Sequence, residues 1–107
     1  MQKQEFDQSN APFTHPGMVF SRATDQVSAD LNGDIAILNL RTKNYFGVAG
    51  VGAFIWQKLE TPTDFASLTQ AVVDEFDVER GQCSTEVSKF LQELNASGLL
   101  NTHQRGY

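Results

Sequence analysis

Apolar and polar residues alternate along Gln26-Val27-Ser28-Ala29-Asp30-Leu31. Val27, Ala29 and Leu31 share one side of an extended chain and Gln26, Ser28 and Asp30 the other, the period of a half-buried strand. Asn32-Gly33 follows directly. That dipeptide tolerates positive φ at both central turn positions, as a tight hairpin requires. Asp34 to Leu40 is the return strand, with Ile35 and Ile37 on one face and Ala36, Leu38 and Leu40 on the other. Apolar residues on both faces predict a strand that is central or covered on both sides. Arg41-Thr42-Lys43-Asn44 is a polar connection suited to a second hairpin, and Tyr45-Phe46-Gly47-Val48 is the third strand. The expected sheet is a three-stranded antiparallel meander with Tyr45–Val48 at one edge. No proline or charge blunts that edge, and Gly47 lets another backbone approach closely.

Before the meander, Met1 to Gly17 reads as a flexible N-terminal tail, polar and broken by Pro12 and Pro16. Met18 to Arg22 is expected as an extended lead-in that packs Val19 or Phe20 on the core. After the meander the period becomes helical. Val51, Ile55 and Leu59 recur every four residues with Phe54 beside them, predicting a helix over about 50–59 and leaving Trp56 off the stripe at the edge of the core. Thr63 is the expected N-cap of a second helix over 64–76, with Phe65, Leu68, Val72 and Phe76 as its stripe. A third helix over 82–97 buries Cys83, Val87, Phe90, Leu91 and Leu94 and turns Glu86, Lys89 and Glu93 outward. Gly98 stops it. Leu99-Leu100 returns to the core and residues 101–107 read as a C-terminal tail, so the folded domain is expected to span 18–100.

The 107 residues fit one domain, and the net charge of -5, with no basic stripe, argues against a phosphate-binding surface. A single cysteine, Cys83, allows no internal disulfide, and a reducing cytoplasmic setting is expected. Lys3, Glu5 and Asp7 with no apolar run read as neither a secretion signal nor a membrane anchor. His15 and His103 fall in the two tails, where they are poor metal ligands. There is no Cys-x-x-Cys, no His-Glu-x-x-His and no calcium loop. Gly47, Gly50 and Gly52 match neither the dinucleotide fingerprint nor the P-loop; they suit close packing of helix on sheet. No nucleophile, base and orienting group form a signature. The chain therefore reads as a binding module, not an enzyme, with no cofactor and no metal.

Three strands followed by three helices predict an α+β, winged-helix-like domain. Such domains often bind DNA, but Glu86 and Glu93 on the third helix leave no phosphate-contacting set. The edge offers a different mode. A peptide adds as a fourth strand beside Tyr45–Val48 and drops alternate side chains into the crevice between that strand and the third helix. Phe46, Phe90, Leu91 and Leu94 are candidates for its apolar wall. The same edge admits a second copy, so a monomer or weak dimer is expected.

Leu31-Asn32-Gly33, Ile37-Leu38-Asn39-Leu40, Tyr45-Phe46-Gly47-Val48 and Val51-Gly52-Ala53-Phe54-Ile55-Trp56 together resemble the PqqD-like family. So does Glu86-Val87-Ser88-Lys89-Phe90-Leu91-Gln92-Glu93-Leu94 ending in Gly98-Leu99-Leu100. Within that family the chain looks most like the stand-alone leader-binding proteins of lasso peptide biosynthesis. The resemblance implies a recognition element for a ribosomally made precursor peptide, which holds the leader as an added strand and presents it to a processing enzyme, a leader protease. It implies that Asn44, Tyr45, Phe46, Gly47 and Val48 form the pairing strand and its approach. Glu86, Val87, Phe90, Leu91 and Leu94 then line or frame the groove. Glu86 stands where many relatives have Asp, and Asn44 replaces the commoner turn glycine. Two alternatives remain: a PqqD-type peptide chaperone for a radical-SAM enzyme, and a winged-helix DNA-binding regulator.

Overall fold

Asn32 and Gly33 both take positive φ, 61° and 99°, and the Asp30 carboxylate accepts a hydrogen bond from the Gly33 N–H at 2.9 Å. This turn joins β2 (Gln26–Leu31) to β3 (Asp34–Asn39) in the expected register, Leu31 opposite Asp34 and Gln26 opposite Asn39. A second turn leads to β4 (Tyr45–Val48), which pairs with β3 from Leu38–Tyr45 to Ile35–Val48. The sheet order is β2-β3-β4, so β3 is central and β4 is an edge, as the meander predicts. The computed structural model describes residues 17–104 of the chain.

A second sheet was not legible in the pattern. Met18 to Arg22 is a full strand, β1, flanked by a two-residue β5 (Thr63–Asp64) and by β6 (Leu100–Gln104) in the order β5-β1-β6. The chain expected as a polar tail from Asn101 thus carries four residues of strand, and His103 pairs across from Val19. Polar side chains hid this strand because a ladder is made by backbone groups.

The helices are α1 (Val51–Lys58), α2 (Phe65–Phe76) and α3 (Arg80–Ala96). The cap of α2 and the start of α3 differ from expectation. Asp64, not Thr63, caps α2, accepting from the Ser67 N–H at 2.7 Å. Glu79 caps α3 by accepting from the Gly81 and Gln82 N–H groups, which starts that helix two residues early. Those two donors hold the Glu79 carboxyl below its ordinary pKa.

Trp56 is fully buried, not at the rim. Its indole N–H donates to the Ser28 hydroxyl at 3.2 Å, and the Arg22 guanidinium lies 4.7 Å from the ring centre. Burial is possible because both polar needs are met. Val87, Leu91 and Leu94 of α3 meet Ile35, Ile37 and Val48 of the meander in one core with Phe20, Ile55 and Leu59.

Asn39, at the end of β3, is only 2% exposed. Its amide nitrogen donates to the Ser97 carbonyl at 2.9 Å, and its amide oxygen accepts from the Arg41 and Thr42 N–H groups at 2.9 and 3.2 Å. One side chain thus joins the β3–β4 turn to the end of α3. Gly98 is required beside it: its φ is +73°, and a Cβ there would lie 3.0 Å from the Asn39 amide nitrogen. Asn39→Ala removes the partner of each group. Loss of roughly 1–3 kcal/mol is expected, read as a lower urea midpoint at unchanged slope.

Candidate functional site

The edge strand decides the geometry of the site. The Asn39 N–H donates to the Asn44 carbonyl at 2.9 Å, which makes that pair a hydrogen-bonded one. Antiparallel pairs alternate, so Phe46 and Val48 also turn their backbone groups toward β3. Tyr45 and Gly47 turn theirs away from it, toward the open side. Among the described residues no strand pairs with that side of β4.

Side chains alternate in the perpendicular direction. Val48 is buried and Phe46 half-buried, on the face that meets α3; Tyr45 is 75% exposed on the opposite face. The ring of Phe46 meets that of Phe90 edge to face, with centres 6.4 Å apart. Gly47 has nothing within 4 Å of where a Cβ would stand, so the approach to its backbone is open. At the near end of β4, Asn44 is exposed and its N–H donates to the Thr42 hydroxyl at 3.2 Å. Asn44, Tyr45 and Phe46 border a hollow of about 380 Å³ against the end of α3.

The five α3 candidates separate into wall and foundation. Phe90 is half-buried and Glu86 exposed, and both border a cavity of about 490 Å³. Val51, Gly52, Ile55, Val72, Val78 and Val87 supply most of its apolar lining. Val87, Leu91 and Leu94 are fully buried. They set where α3 lies, and Val87 also reaches the wall of this cavity, which Leu91 and Leu94 do not line. Sequence spacing alone does not separate these roles, because i and i+4 neighbours share a helical face whether they touch core or solvent. Gly52, whose added Cβ would meet the Phe90 ring at 3.2 Å, contributes by leaving room for that ring. Spacing gave Val51 and Val72 a place only in the helix stripes, and it gave Val78, in the link between α2 and α3, none.

Cys83 also borders the cavity, but it is buried and its thiol donates to the Thr69 carbonyl at 3.8 Å. Burial pushes this thiol above its ordinary pKa, with Arg80 opposing, so it stays protonated and a poor nucleophile. Among the described residues no group of three or more His, Cys, Asp or Glu is placed to hold a metal. His15 lies outside the described residues. No helix among them is long and apolar enough to cross a membrane. On α3, Glu86 and Glu93 are exposed, the wrong sign for a phosphate backbone.

The family model for coenzyme PQQ synthesis protein D (PqqD) matches residues 34–100. The chain belongs to the PqqD family. The matched stretch holds β3, β4 and all three helices, and so the whole groove; β1 and β2 precede it. Among solved structures, TbiB1 in complex with the TbiA(beta) leader peptide is similar at 30% identity and a TM-score of 0.72, covering 81% of this chain and 96% of that one. A lasso peptide synthetase B1 complexed with the leader peptide shares the fold at 21% identity and a TM-score of 0.68, over 77% and 96% of the two chains. A search of curated proteins finds no match. These structures agree with the α+β reading of antiparallel sheet and three helices, with which a winged-helix-like arrangement is consistent.

The split between wall and foundation is measurable. Leu91→Ala is expected to cost about 2–5 kcal/mol. Phe46→Ala, at a half-buried edge position, costs less and keeps a cooperative urea transition. Equal losses at the two sites would contradict this division.

Proposed function

We propose that this chain binds the leader region of a ribosomally made precursor peptide by strand addition at β4 and presents it to a processing enzyme in lasso peptide maturation. The observation that carries the reading is the pairing pattern of β4. Tyr45 and Gly47 aim backbone groups at the open side while Phe46 and Phe90 form an apolar wall directly beneath. Similarity to TbiB1, whose structure holds a leader peptide, supports it. So does membership of the PqqD family.

The mechanism follows from the geometry. An extended leader supplies the hydrogen-bond partners that Tyr45 and Gly47 lack within the sheet. Every second leader side chain then faces Phe46 and Phe90, and the intervening ones face Tyr45. Main-chain bonds give affinity with little sequence preference; the apolar wall adds the preference. The binding unit runs from Met18 into β6. Asn44, Tyr45, Phe46, Gly47 and Val48 form the pairing side, and Glu86 and Phe90 the helical side. Val87, Leu91 and Leu94 act beneath them as support. The chain itself performs no bond-breaking step in this scheme. A leader protease, acting on the presented peptide, supplies the chemistry.

Titration of a fluorescein-labelled synthetic leader, taken from whichever lasso precursor a survey of the neighbouring genes identifies, tests the reading by fluorescence polarisation. Saturable binding to the wild-type chain is expected. Gly47→Pro removes an outward N–H while sparing the bonds to β3, a change that edge strands tolerate. It should weaken binding at least about tenfold, the scale of 1.4 kcal/mol of lost main-chain bonding, with the urea midpoint little changed. A leader that does not bind, or that binds Gly47→Pro as well as the wild type, contradicts the proposal.

A further inference from the structure

The groove does not stop at β4. Phe90, which meets Phe46 on one side, packs against Gly52 on the other, and both Phe90 and Gly52 then line the 490 Å³ cavity between α1, α2 and α3. A peptide that leaves the strand at the Val48 end meets this cavity next. Its floor is apolar, and two of its lining residues, Val51 and Val78, are large apolar groups left exposed to solvent.

Its polar lining is acidic. Glu79, Gln82 and Glu86 come from the first turns of α3. Glu79 is occupied as the helix cap. Glu86 is exposed and engaged in no ion pair; among the described residues the ion pair present joins Arg41 to Asp25, far along the chain. Arg80 and Lys89 are the cations of α3, and neither lines the cavity. An apolar hole with one uncompensated carboxylate at its mouth fits an apolar stem beside a positive head. The chain's net charge of -5 favours the same sign of guest.

We propose that this cavity is a second subsite of the leader groove, which takes an apolar leader side chain adjacent to a lysine or arginine, with Glu86 as the acceptor of that cation. This rests on the leader-binding reading above. It adds a requirement that strand addition does not contain: the leader carries a basic residue just beyond its paired stretch, and binding weakens with salt.

The probe is the same labelled leader, in wild-type form and with each Lys or Arg replaced in turn by Gln. Glu86→Gln should weaken wild-type leader binding about two- to fivefold at low salt, the range of a solvent-accessible ion pair, and the difference should shrink at high salt. One leader replacement should give a loss of similar size, and that loss should vanish in the Glu86→Gln background. Glu86→Lys should bind more weakly still and be restored by a Glu at the same leader position. Binding that is lost with Gly47→Pro yet indifferent to Glu86→Gln overturns the subsite and leaves strand addition standing. The same holds for losses that simply add, or for a bound leader with no basic residue. A leader that never binds the wild-type chain overturns the underlying reading instead.

Discussion

The Asn39 amide is the constraint on which the site depends. It is buried, both its oxygen and its nitrogen are engaged, and it ties the end of β3 and the turn into β4 to the residue that ends α3. An amide in this position accepts no other arrangement cheaply, since each broken bond leaves a buried group without a partner. The near end of the β4–α3 groove is therefore held at a set width. The far end is held by packing, where Val48 and Val87 enter the same core and Phe90 sits against Gly52. Between the two, β4 is supported along one side and beneath, and left open along the other.

That combination accounts for how a small acidic domain can hold a peptide without a deep pocket for all of it. A lone strand in water gains little from pairing, because its groups exchange water for protein at modest net benefit. Here the second element is already in place. In the proposed mode, main-chain bonds to Tyr45 and Gly47 would fix the direction and register of a guest, and the apolar wall would add burial for every second side chain. The fold needs no rearrangement to expose this edge, so the ordering cost falls on the guest.

The meander was legible because its signals are local. Asn32-Gly33 demands positive φ and so sets the register, and nothing in Tyr45–Val48 protects an edge; the alternation in β2 misleads about its face, since Val27, Ala29 and Leu31 are exposed while Ser28 turns inward to the Trp56 indole. The helices were legible from their four-residue spacing. What escaped was non-local. β6 is polar along Asn101-Thr102-His103-Gln104, and only its pairing with β1 makes it a strand. Trp56 departs from the α1 stripe yet is buried, because Arg22 and Ser28 come from other elements to satisfy it. Within the site, spacing put Phe90, Leu91 and Leu94 together on one side of α3. Distinguishing the exposed wall from the buried support required the position of β4 relative to that helix.

The central claim is that a peptide pairs with the open side of β4, and residue-resolved amide exchange tests it most directly. A ¹⁵N-labelled chain is followed by NMR with and without a saturating synthetic leader. The account predicts that the Tyr45 and Gly47 amides, turned away from β3, exchange quickly alone and become strongly protected with leader bound. The Phe46 and Val48 amides, already bonded to β3, change far less. Protection that appears instead along β2 or β6, with Tyr45 and Gly47 unchanged, would contradict it.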